Sequence, residues 1–278
     1  MDYFNLALTR LFDLLLWPFG AWPTGGLIFI SALAGVLMLV LFKLASNQKK
    51  IRRSRDLINA HLLAMRLYQD EPAVMLASQR AVLKANLSYL RYAVVPLVFI
   101  LPPIVLVMAQ LELRWGAAPL RPGDEAVVKA VFDSYAPREP RLEVPGNTDV
   151  RVQAPPLVVT TPALRIPYLN EVDWRIKAQV PGRYVVRVVA GPRSYPKEVV
   201  VGDGRRLAKV NAVSPANIWR RLFHPGERAP GDGVKEITVI YPRREDKFFG
   251  VTVSWLVTFF VVSLVAAFAF KGILRTEI

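Results

Sequence analysis

Few residues in this chain of 278 could do covalent or metal chemistry, and they are scattered. There are two histidines, His61 and His224, and no cysteine. Disulfides and thiolate sites are excluded, and two distant histidines make neither a metal cluster nor a catalytic triad. Paired carboxylates occur at Asp124-Glu125 and Asp70-Glu71. These read as a turn and a helix start, not as an acid–base pair. The glycines form no phosphate loop, and neither a GxSxG elbow nor an HExxH pair occurs. The expectation is a non-enzymatic protein with no cofactor and no metal. The polar residues in unusual surroundings are Ser31, Lys43, Gln110, Thr252, Ser254 and Thr258, inside or at the ends of strongly apolar runs. They could line a path for polar groups crossing a membrane, or serve helix packing.

Three apolar blocks must position them: Leu27–Ala45, Ala93–Gln110 and Phe249–Phe270. Each is near the ~20 residues needed to cross a bilayer. The expected spans are 24–45, 92–111 and 248–271, forming an α-helical bundle. The net charge of +14 reads as topology and attraction to anionic lipid, with no nucleic acid expected. Lys43–Tyr92 holds ten Lys/Arg against three Asp/Glu, so 10 − 3 = +7. Basic segments stay in the cytoplasm. The N-terminus is then outside, residues 112–247 are extracytoplasmic, and the tail 272–278, with Arg275, is inside. The expected location is a bacterial-type cytoplasmic (inner) membrane.

Residues 1–23 do not read as a cleaved leader. Phe4, Leu8, Leu11, Phe12 and Leu15 have helical spacing and precede Trp17 and Trp22. That pattern predicts an amphipathic helix lying in the interface. Residues 46–91 predict an antiparallel cytoplasmic hairpin of Ser46–Gln69 and Pro72–Arg91, turning at Asp70-Glu71-Pro72. Heptad rows support it: Ile51, Ile58, Leu62 and Met65, then Leu76, Leu83, Leu87 and Leu90. Lys49, Lys50, Arg52, Arg53 and Arg55 form a basic contact surface, either a solvated face that fixes orientation or a site for lipid headgroups, a ribosome or a nascent chain. Pro96, Pro102 and Pro103 predict a bent second span, because each removes a backbone donor.

The segment 112–247 changes character. Alternating runs at Ala126–Phe132, Val172–Val180, Arg183–Val189, Tyr195–Val201 and Glu236–Tyr241 are separated by Pro/Gly turns. They predict an all-β domain, an immunoglobulin-like sandwich with Trp174 in an early strand. Pro215–Phe223 predicts one amphipathic helix, lying on the membrane surface or packed on the sandwich.

Residues 27–119 resemble the core of the YidC/Oxa/Alb insertase superfamily. The residues that carry the likeness are Val95-Pro96-Leu97-Val98-Phe99-Ile100-Leu101-Pro102-Pro103-Ile104, then Gln110-Leu111-Glu112-Leu113-Arg114, and the hairpin runs Gln48–Arg66 and Gln79–Tyr89. The order of an outward-starting span, a basic hairpin and a proline-bearing return span is similar. The resemblance implies a factor that assists membrane-protein insertion or assembly, with nascent chains or other membrane proteins as partners. Bacterial members of the family commonly hold a positive residue in an intramembrane groove; here the first span offers only Ser31, and Lys43 at its inner end. The β-rich insertion also departs from the pattern. The competing expectation is an accessory scaffold subunit of a larger membrane complex, binding an extracytoplasmic partner through the β domain.

Overall fold

The structure, a computed structural model, describes residues 2–46, 48–67, 71–134, 139–146, 155–227, 229–244, 246–248 and 251–274. Gln69, Asp70, Phe249 and the tail from Arg275 lie outside the described residues, as does the side chain of Ile51. The chain divides into two units. One, the β-bearing unit, comprises Met1–Leu27 and Leu106–Val257; the other, the helical unit, comprises Ile28–Val105 and Thr258–Ile278.

The helices are α1 (Asp2–Leu16), α2 (Pro23–Ala45), α3 (Gln48–Leu67), α4 (Pro72–Leu111), α5 (Ile218–Phe223) and α6 (Trp255–Leu274). Three stretches, Pro23–Ala45, Met75–Gly116 and Trp255–Leu274, are long and apolar enough to cross a membrane. The hairpin's second arm and the second apolar block are one 40-residue helix, α4, with Pro96, Pro102 and Pro103 inside it. It ends in a π-helical turn, Glu112–Gly116.

Within the helical unit, α2 and α6 meet backbone to backbone. A Cβ added at Gly35 would lie 2.2 Å from the Ser263 carbonyl oxygen. Only glycine allows that approach, the usual device where helices associate without a hydrophobic driving force. The Lys50 ammonium sits 5.2 Å from the centre of the Tyr92 ring, which pairs the start of α3 with α4 at Tyr92 in the expected antiparallel sense. The leucine rows do not form the seam. Leu62, Leu76, Leu83, Leu87 and Leu90 are exposed, while among the described residues of the arms Ser54, Ser78 and Ala85 are buried. Small residues hold the buried positions, and the larger apolar rows face outward.

The β-bearing unit has strands β1 (Glu125–Phe132), β2 (Arg141–Glu143), β3 (Leu157–Val159), β4 (Leu164–Ile166), β5 (Glu171–Ala178), β6 (Gly182–Ala190), β7 (Arg193–Val201), β8 (Val213–Pro215), β9 (Val234–Val239), β10 (Asp246–Phe248) and β11 (Val251–Val253). One antiparallel sheet runs β3-β5-β1-β9-β8, with β4 continuing the β3 edge; a second runs β2-β6-β7. Residues of alternate parity from both sheets share one core: Val128 and Ala130, Trp174 and Ile176, Ile237 and Val239, with Val186, Val188 and Val199 opposite. That period of two was legible beforehand. Gly191 takes φ 63° in the two-residue turn before Arg193, the left-handed geometry a tight hairpin requires. Pro196 is tolerated because β7 is an edge strand.

Two boundaries move. The third apolar helix begins at Trp255, not at 248, because Val251–Val253 pairs with Asp246–Phe248 as a small hairpin. Backbone pairing overrides the local hydropathy there. The predicted helix Pro215–Phe223 shortens to α5, because Val213–Pro215 pairs with β9 and Asn217 caps the helix, accepting from the Trp219 N–H at 2.9 Å.

Candidate functional site

The site in the β-bearing unit starts from α1. Asn5, Thr9, Phe12 and Leu16 are its buried face. Tyr3, Phe4, Leu6, Leu11 and Leu14 are exposed. The helix is therefore inverted: much of its polar stripe packs on protein, and most of its large apolar residues point away.

That stripe meets the end of α4. Arg114, in the π-helical turn, is only 2% exposed. Its guanidinium donates from Nη1 to the Gln110 carbonyl (2.9 Å) and Gln110 Oε1 (2.8 Å). Nη2 donates to the Thr9 carbonyl (3.2 Å) and to Asp13 Oδ1 (2.6 Å). Gln110 Nε2 donates to Thr9 Oγ1 at 3.1 Å, and Lys209 Nζ donates to Asp13 Oδ2 at 2.7 Å. The Phe12 ring lies 5.7 Å from Arg114 Cζ, within cation–π range. Several hydrogen bonds per guanidinium are what make a buried arginine tolerable. Burial alone would raise the Asp13 carboxyl; hydrogen bonds from Lys209 and Arg114 outweigh it and hold the group below its ordinary value.

Beside this network lies a cavity of about 560 Å³. Its polar lining includes Asn5, Thr9, Arg183, Glu198, Lys209 and Glu227. Arg183 pairs with Glu198 at 2.9 Å. The buried Asn5 Oδ1 has no hydrogen-bond partner among the described residues. Behind the lining, Lys197 is fully buried. Its ammonium donates to the Asn211 carbonyl (2.6 Å), Ser214 Oγ (2.8 Å) and Glu227 Oε2 (3.0 Å). Ser214 in turn donates to Glu227, and the Glu198 N–H donates to Glu227 Oε1 at 3.1 Å. Burial pushes the Lys197 ammonium below its ordinary value, and Glu227 pulls part of the shift back. A buried serine whose hydrogen is committed to a carboxylate is poor as a nucleophile. The cluster fixes the segment Asn211–Glu227 against β7.

The residues expected to form one polar path fall into both units. Ser31, Lys43 and Thr258 belong to the helical unit; Gln110, Thr252 and Ser254 belong to the β-bearing unit. Ser31 and Thr258 are buried. Lys43 donates to the Leu274 carbonyl at 2.8 Å, closing the end of α6. Gln110 is part of the Arg114 network. Thr252 lies on β11, outside any span, and Ser254 precedes α6, accepting from the Leu256 N–H at 3.4 Å. Lys49, Lys50, Arg52, Arg53 and Arg55 all lie on α3, with Lys49, Lys50, Arg52 and Arg53 exposed.

Sequence reasoning quoted Arg114 without giving it a role and passed over Asp13, Thr9, Lys197 and Glu227. Two signals were there. Asn5, Thr9 and Asp13 recur at four-residue spacing on one helix. Lys197 occupies the inward parity of Tyr195, Val199 and Val201. Comparison with family models, with curated proteins and with solved structures finds no match to this chain.

Proposed function

We propose that this chain is an integral protein of a bacterial-type cytoplasmic membrane, N-terminus out and C-terminus in, that assists the insertion or assembly of other membrane proteins without covalent chemistry. The observation that carries the reading is the hairpin surface. On α4, Leu83 and Leu87 are 69% and 70% exposed, beside the exposed Arg80 and Lys84. Apolar side chains interleaved with cations suit an apolar client segment and anionic lipid headgroups at once. The inverted α1 fits the same setting, since its outward apolar face needs an apolar surround. The polar network around Arg114 gives the outer end of α4 a charged, hydrogen-bonding anchor. In this mechanism the basic hairpin captures a client at the cytoplasmic face, and the spans lower the cost of moving its polar parts across. The likeness to the YidC/Oxa/Alb superfamily supports this reading, and nascent membrane proteins and anionic lipids are the partners.

The β domain is read as an immunoglobulin-like sandwich, on the support of two antiparallel sheets over one core holding Trp174. A second reading, an accessory scaffold that binds an extracytoplasmic partner through this domain, is favoured by the apolar interior of α2. Ile30, Ala34 and Leu39 are buried there with Ser31 as the polar exception. One experiment separates the two. Insertion of a small membrane protein into vesicles is measured with the wild-type chain and with Leu83→Asp/Leu87→Asp. Loss of insertion in the variant, with its fold retained, supports the insertase reading. Equal insertion by wild type, variant and empty vesicles, together with a stoichiometric partner on co-purification, supports the scaffold.

A further inference from the structure

We infer that α5 is a membrane-surface anchor that, together with α1, seats the β-bearing unit on the outer face of the lipid bilayer. The inference rests on the reading that α2, α4 and α6 span a membrane. In a six-residue helix with no buried residue, Ile218, Trp219 and Phe223 are all exposed, Trp219 at 69%. None of these three side chains belongs to the sandwich core, so the core does not explain their apolar character. It is nonetheless a formed element, capped by Asn217 and held to the sheet by Arg220, which pairs with Glu236 on β9.

Its place is set by α1. Asn5 Nδ2 donates to the Arg221 carbonyl at 3.2 Å. In both helices the sequence neighbours of the bonded residues are the exposed apolar ones: Tyr3, Phe4 and Leu6 around Asn5, and Trp219 and Phe223 around Arg221. One hydrogen bond thus joins two helices that both carry exposed apolar residues close to it in sequence. The occupant follows from the chain path. The β-bearing unit contains the first residues of α2, Pro23–Leu27, the last of α4, Leu106–Leu111, and the first of α6, Trp255–Val257. The chain passes from this unit into all three apolar helices with no linker, so a bilayer crossed by those helices is the surface within reach. Tryptophan, phenylalanine and isoleucine are side chains that settle at that depth, their rings and branched chains among the headgroups.

The chain has no cysteine, so single labels can be introduced in the full-length protein. Nitroxide is attached to Trp219→Cys, to Arg205→Cys and to Leu37→Cys, each reconstituted in vesicles of phosphatidylethanolamine and phosphatidylglycerol. Collision rates with oxygen and with a water-soluble nickel complex are read by saturation. Arg205 has a strongly exposed side chain and reports water; Leu37 lies on α2 and reports the span. The expected result is a several-fold lower nickel rate at Trp219 than at Arg205, with the oxygen rate raised. A Trp219 label that matches Arg205 while Leu37 reads as lipid overturns the anchor and leaves the spans standing. A Trp219 label shielded from both reagents means that protein, not lipid, covers α5, and also overturns it. A Leu37 label that reads as water overturns the spanning reading and the anchor with it.

Discussion

Replacing Lys197 with methionine tests whether the β domain depends on a buried charge. The side chain has no exposed surface, and its ammonium makes three hydrogen bonds of 2.6–3.0 Å. Methionine keeps the length and removes every donor. Breaking a buried ion pair by deleting one partner costs ~3–5 kcal/mol. Glu227 keeps two donors, from Ser214 and the Glu198 N–H, and its side chain is 15% exposed, so some solvation returns. The lower end, about 3 kcal/mol, is therefore expected. At ~2–4 °C per kcal/mol for a domain of this size class, the midpoint should fall by roughly 10 °C. The assay is a thermal melt of the full chain in detergent, read from near-UV circular dichroism, to which the buried Trp174 contributes. Lys197→Met/Glu227→Gln should recover part of the loss, because no lone charge is left inside. A single variant within about 1 °C of wild type would refute the argument, since ~3 kcal/mol cannot hide in that interval. The sign of the pH dependence is also fixed. Burial lowers the folded-state ammonium below its ordinary 10.5, so the unfolded chain binds the extra proton between the two values. Stability should rise with pH through that window, and the methionine variant should lose this dependence.

Asp13 works in the opposite pH range. Its carboxyl is held below the ordinary 3.8 by Lys209 and Arg114 against the effect of burial, so its contribution is complete above 3.8 and lost as pH falls through the folded value. Asp13→Asn should weaken the fold at neutral pH and flatten the acid limb of a melting-point profile; an unchanged limb would count against the network. Gly35→Leu should lower the melting midpoint of the detergent-solubilised chain, because even a Cβ there meets the Ser263 carbonyl at 2.2 Å, whereas Gly272→Leu, which meets nothing within 4 Å, should not. Equal effects at both glycines would remove the α2–α6 contact from the account. Arg114→Met should loosen α1, read as faster proteolysis within Asp2–Leu16 of the reconstituted chain; unchanged cleavage would mean that the buried guanidinium does not hold α1.

Long-range features of composition were legible in the sequence, and pairing was not. Hydropathy alone located the three apolar helices, because crossing length is a property of consecutive residues. Alternation located β1, β5, β6, β7 and β9, because inward parity is set by the strand itself. The three-residue strands β2, β3, β4 and β8 carried no readable period; each exists through its partner. The same holds for β11, where pairing with β10 took Thr252 out of the expected span.

The sequence by itself determined that this chain carries three apolar helices, a basic hairpin and a β-rich segment, since each follows from which residues are neighbours along the chain. Only the tertiary structure decided that α1 buries its polar stripe, that the hairpin's leucines face outward, and that Arg114 and Lys197 stand inside with carboxylates from distant segments. A charge is stable in an interior only when its partners arrive there too, and the partners of these two, Asp13 and Glu227, lie 101 and 30 residues away.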